Sequence, residues 1–120
     1  MAMEYPARKT LDDKEMFDDI VKAILSVMGD DAVKIILYGS VARGDNTWES
    51  DIDLAVIVDG KYDSKKRDEL FEAVYPLDLK YDTLFSVIPI ESYHYFVCKY
   101  EIPFYMNIEK EGIILWKKCA

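Results

Sequence analysis

Cysteine and histidine are scarce in this chain. Two cysteines, Cys98 and Cys119, and one histidine, His94, occur among 120 residues. They make no metal-ligand spacing with one another, and free thiols in a reducing cytoplasm are the expectation. Basic residues are also few: 15 Lys and Arg face 23 Asp and Glu, a formal net charge of -8. Holding duplex nucleic acid by its phosphates needs a basic face, so that class of function is disfavoured. A single nucleotide can still be bound locally if a metal ion supplies positive charge, and a basic protein partner would be steered toward such a surface. No apolar run approaches the roughly 20 residues that span a bilayer. The start, MAMEYPARKT, has no hydrophobic core segment, so no secretory signal and no membrane association are expected. Repeats, low-complexity tracts and long linkers are missing too.

What remains reads as one compact domain. Hydrophobic residues make up 51% and charged residues 32%, enough for a real core and a well-solvated surface, with a homo-oligomer readily accommodated. Phe17, Ile20, Val21, Ile24 and Met28 recur at helical steps, with charges opposite them. Thr10 is placed to cap this helix, with Asp13 at the matching capping-box position, and Gly29 to end it. Val33 to Tyr38 reads as a buried strand, 39–47 as a loop with room for one helical turn, and Asp51 to Val58 as a second strand. Ser64 to Tyr75 reads as a helix closed by Pro76, and Leu79 to Ile88 as a third strand. Two short helices, Tyr93 to Tyr100 and Phe104 to Lys110, precede a last strand, Ile113 to Trp116. The order α-β-β-α-β-α-α-β predicts an α+β domain: a small mixed sheet with helices packed on one side.

The informative stretch is ILYGSVARGDNTWESDIDLAVIV, Ile36 to Val58. Alternate residues of a strand share a face, about 6.5–7 Å apart. Asp51 and Asp53 therefore offer two carboxylates to one space, while Ile52, Leu54 and Val56 turn toward the core. Like charges so placed repel. A divalent cation between them resolves the conflict, since Mg²⁺ takes one or two carboxylates plus water and phosphate oxygens. Taken alone, Asp-x-Asp more often marks a solvated strand end. The preceding loop changes the weighting. Gly39 lets the backbone approach a ligand, Ser40 adds a hydroxyl donor, and exposed amides can cradle phosphate oxygens. A helical turn from Val41 to Gly44 would aim its amide dipoles at the same spot. Arg43 can contact phosphate or brace an aspartate.

The run YGSVARGDNTWESDIDLAV, with its Gly-Ser turn, Arg-Gly and Ser-Asp-x-Asp in order, resembles the signature of the DNA polymerase β-like nucleotidyltransferase superfamily. The short length is similar to its minimal nucleotidyltransferase (MNT) branch, and the ending NIEKEGIILW loosely resembles the tail of that branch. It is not a P-loop, which needs a lysine after its second glycine. The resemblance implies a palm-like nucleotidyltransferase fold and a third acid on a later strand, since two-metal phosphoryl transfer needs a further carboxylate. Asp78 and Asp82 share strand parity. Asp82, inside the expected third strand, is the choice over Asp78 at its entrance. The expected site is then Asp51, Asp53 and Asp82 with two Mg²⁺ ions, and Gly39, Ser40 and Arg43 on the nucleotide. An acceptor hydroxyl attacks the α-phosphorus of a nucleoside triphosphate, most simply ATP, and pyrophosphate leaves.

The resemblance also implies a partner: MNT proteins pair with helical HEPN proteins, and some act as antitoxins that attach AMP to a HEPN tyrosine. Two other readings stand beside it: a non-catalytic nucleotide-binding or interaction module, and nucleotidyl transfer to a small molecule such as an aminoglycoside. Trp48 is expected to pack over the loop rather than stack on a base. Tyr93, Tyr95, Tyr100 and Tyr105 are expected to pack within and around helices, and His94 to be structural.

Overall fold

The computed structural model describes residues 13–47 and 49–119. Thr10 and Trp48, and the roles expected of them, lie outside the described residues. The chain runs α1 (Lys14–Met28), a 3-10 turn (Gly29–Asp31), β1 (Ala32–Tyr38), α2 (Ser40–Arg43) and β2 (Ile52–Val58). Then come α3 (Ser64–Tyr81), β3 (Phe85–Glu91), α4 (Ser92–Cys98), α5 (Pro103–Glu111) and β4 (Ile113–Lys117). The expected order holds, with α2 as the helical turn inside the loop. Met16, Phe17, Ile20, Ile24 and Met28 form the buried stripe of α1, and Gly29, at φ 56°, ends it.

The strands lie in the order β3-β2-β1-β4. β1 is antiparallel to both β2 and β4, while β2 and β3 run parallel, so the sheet is mixed. β2 is apolar at every position but Asp53, and both its faces are buried. Such a strand needs cover on both sides. Ile35, Leu37, Leu54 and Val56 pack with α1 and with Leu70 and Val74 of α3. Ile36, Ala55 and Ile57 pack on the opposite face with Tyr95 of α4 and Ile108 of α5. The expectation of helices on one side is corrected accordingly: α1 and α3 cover one face, α4 and α5 the other.

A second correction concerns α3. Pro76 does not close it; the helix continues to Tyr81 with the proline inside. Leu77 and Tyr81 prolong the apolar stripe of Leu70 and Val74 against α1. Beyond the proline, the Tyr81 hydroxyl donates to Asp19 of α1 at 2.5 Å and Lys80 does so at 3.0 Å. The carbonyl that Pro76 leaves without its helical partner is that of Glu72, on the exposed side, where water can serve it. β3 therefore begins at Phe85 rather than Leu79.

Cys98 and Cys119 are free thiols. Tyr95 is fully buried and its hydroxyl donates to Glu109. The expectation of packing holds for Tyr95 and Tyr105, whereas Tyr93 and Tyr100 are three-quarters exposed. His94 Nδ1 lies 2.8 Å from the Tyr105 hydroxyl, a contact between α4 and α5. Among the described residues no helix is long and apolar enough to cross a membrane.

Candidate active site

The site lies where β1 ends and β2 begins. Gly39 leaves β1 at φ 80°, a left-handed conformation that glycine adopts without strain. The Arg43 N–H bonds the Gly39 carbonyl at 3.0 Å and closes the α2 turn, which Gly44, also at φ 80°, terminates. Asn46 is buried. The chain then doubles back through Thr47 and Ser50: the Ser50 N–H bonds the Thr47 carbonyl at 3.1 Å, and the Thr47 N–H bonds Ser50 Oγ at 2.9 Å. This locked turn delivers Asp51, just ahead of β2, and Asp53, its second residue.

Asp53 and Tyr38 are direct partners across β1 and β2. The Asp53 carboxylate fills the space where a Cβ at Gly39 would stand. The glycine is thus required by close approach as well as by its backbone angle. Burial, and after it the charge of Asp51, hold the Asp53 carboxyl above the usual carboxylate range, and the Arg43 charge pulls it partly back. Burial and the Asp53 charge push the Tyr38 phenol up to about 12. The Phe104 ring stands edge-on against Tyr38, centroids 5.5 Å apart.

Arg43 contacts neither Asp51 nor Asp53. Its guanidinium pairs with Asp45 at 3.0 Å and with Glu111 at the end of α5 at 3.1 Å. It ties the glycine turn to the far helix, and among the described residues no cationic side chain is bonded to either site acid. Two hard carboxylates so placed, the charge of Asp51 adding to the proton affinity of Asp53, suit one divalent cation in chemistry and charge.

The expected third acid is displaced. Asp82 is not on a strand: it is the exposed C-cap of α3, at φ 49°. Asp78 lies within α3 and accepts the Phe85 N–H at 3.0 Å, an anchor for the start of β3. The residue that β3 does place beside Asp53 is Ser86. Among the described residues no group of three His, Cys, Asp or Glu side chains comes together to hold a metal ion. Asp82 is not gathered with Asp51 and Asp53, because α3 runs six residues further than Pro76 suggests. Tyr38, Ser86 and Glu111 went unnoticed in the sequence. Tyr38 could have been found from strand alternation, whereas Ser86 required the true end of α3, and nothing local marks Glu111.

Several known proteins are similar to this chain. The family described as polymerase beta, nucleotidyltransferase matches residues 21–118. A Methanocaldococcus jannaschii protein, provisionally named a protein adenylyltransferase, is 33% identical over 106 residues, 88% of this chain and 100% of its own length. A second protein of that organism, with the same provisional name, is 34% identical over 74 residues, 62% of this chain and 75% of its own. Two solved structures share the fold. One is a toxin–antitoxin with AMP-PNP (TM-score 0.58, 21% identity, 85% of this chain and 73% of that one). The other is a tri-AMPylated Shewanella oneidensis HEPN toxin in complex with MNT antitoxin (TM-score 0.57, 20% identity, 88% of this chain and 72% of that one). With the glycine turn, Asp51 and Asp53, and a match over most of its length, the chain belongs to the polymerase β nucleotidyltransferase family, and its enzyme class is that of a transferase.

Proposed function

We propose that this protein moves AMP from ATP to a protein hydroxyl, a tyrosine of a HEPN-type partner encoded nearby, and so acts as an antitoxin in the cytoplasm. The observation that carries the reading is the Asp53 carboxylate seated against Gly39 beside Asp51. It supports an acid pair and a phosphate-suited turn acting at one spot. The provisional naming of the M. jannaschii relatives as protein adenylyltransferases supports a protein acceptor. The AMP-PNP and HEPN of the structural neighbours support the nucleotide and the partner.

In this reading Gly39 and Ser40 receive the triphosphate through backbone amides and the serine hydroxyl. Asp51 and Asp53 are the residues that would hold Mg²⁺. That ion, when bound, neutralises phosphate charge in the transition state. Arg43, fixed by Asp45 and Glu111, keeps the turn in shape. The acceptor oxygen forms its bond to the α-phosphorus as the bond from that phosphorus to the bridging oxygen breaks. Pyrophosphate leaves, and the hydroxyl proton passes to solvent. The chain supplies positioning and charge, the larger share of catalysis in phosphoryl transfers.

The test is to incubate the protein with Mg²⁺ and labelled ATP, with and without the neighbouring HEPN protein. Label on a partner tyrosine is expected, and Asp53→Asn should abolish it. Nucleotide binding without transfer would favour the non-catalytic module. Transfer to a small molecule such as an aminoglycoside, with the partner unlabelled, would overturn the antitoxin role.

A further inference from the structure

The geometry points to a one-ion site: Asp51 and Asp53 take a single divalent cation, and Ser86, as the neutral strand neighbour of Asp53, denies a second ion its place. This rests on the nucleotidyl-transfer reading above and narrows it.

The side chains around Asp53 carry the argument. On the sheet its neighbours are Tyr38 from β1 and Ser86 from β3, in register on either side. Neither is an acid. Two residues further along β2 stands Ala55, and behind the carboxylate is the bare backbone of Gly39. Among the described residues no third acid gathers with Asp51 and Asp53, and Asp45 and Glu111 are paired with Arg43. Asp78 accepts the Phe85 N–H, and Asp82 caps α3 in the open. The Arg43 charge already offsets part of the negative charge of Asp53. A second dication about 3.5–4 Å from the first must be compensated by added anionic donors, as in two-metal sites. Two carboxylates and a polyphosphate satisfy one Mg²⁺ and leave nothing for another.

Ion counting tests this directly. The protein is dialysed to equilibrium against Mn²⁺ with a non-hydrolysable ATP analogue, and bound Mn²⁺ is read per chain by electron paramagnetic resonance. The expected count is one for the native protein, one for Ser86→Ala and two for Ser86→Asp, which supplies the missing carboxylate. Two ions on the native protein overturn the proposal and leave the transferase reading standing. No bound ion, with or without the analogue, overturns that reading itself. One ion on a folded Ser86→Asp removes the role given to Ser86, as does loss of the ion in Ser86→Ala, which would make the hydroxyl a ligand. Should Ser86→Asp fail to fold, the native and Ser86→Ala counts still decide.

Discussion

The carboxylate of Asp53 occupies the volume a side chain at Gly39 would need. Gly44, five residues on, shares the same φ of 80° but has open space where a Cβ would go. Comparing the two separates backbone strain from collision. Gly44→Ala is expected to cost about 1 kcal/mol, the strain of an alanine at positive φ. Gly39→Ala is expected to cost about 1–3 kcal/mol and to weaken binding of an ATP analogue as it pushes Asp53 aside. Urea unfolding and a nucleotide titration of both variants check this, and equal losses would contradict the close approach.

A second prediction follows from the proton affinity of Asp53. Burial and Asp51 raise its pKa. A raised carboxyl favours the fold while protonated, and that contribution is lost as pH rises through the raised value. At pH 7, ionised Asp53 works against stability. Asp53→Asn is expected to raise the metal-free stability by on the order of 0.5–2 kcal/mol, the range common for single stabilising substitutions, and with it the Tm. The native protein should gain stability on adding Mg²⁺ and the variant should not. Thermal unfolding at pH 7 with and without Mg²⁺ gives both answers.

The two acids at the end of α3 should behave oppositely. Asp78→Ala removes the acceptor of the Phe85 N–H and is expected to cost about 1–3 kcal/mol. Asp82 sits at positive φ in solvent, so Asp82→Gly is expected to be neutral or to gain about 0.5–1 kcal/mol. It should leave nucleotide affinity unchanged. Chemical denaturation and a binding isotherm measure these, and loss of affinity in Asp82→Gly would return that residue to the site.

How far the sequence could be read is clearest at these same residues. The α1 stripe and the order of elements were legible because apolar spacing and glycine placement report local geometry. The Gly39–Asp53 stretch was legible because its residue types suit one chemistry. Pro76 misled, since proline in a helix costs about 3 kcal/mol. That cost is outweighed here by contacts made across the sequence: Leu77 and Tyr81 against α1, and Asp19 with Tyr81 and Lys80. A six-residue error in one boundary then placed Asp82 on a strand and hid Ser86. The two-sided cover of the sheet was likewise tertiary knowledge, although a β2 without polar alternation was its sign.

The Asp19 cluster makes an acid-stability prediction. Hydrogen bonds from Tyr81 and Lys80 hold the Asp19 carboxyl below its usual range. A lowered carboxyl contributes stability above its unfolded pKa and loses it as pH falls through the folded one. The loss should therefore appear below about pH 4. Asp19→Asn is expected to be less stable at pH 7 and to flatten the acid limb between pH 4 and 2. Tm against pH for both proteins tests it, and parallel acid limbs would refute it.

Asp53 rides on β2, a strand bonded along both edges by β1 and β3. An inner strand cannot bend without tearing two ladders, so this carboxylate is an anvil. Whatever adaptation accompanies substrate entry must come from the opposing jaw, the short turn that Arg43 straps to α5.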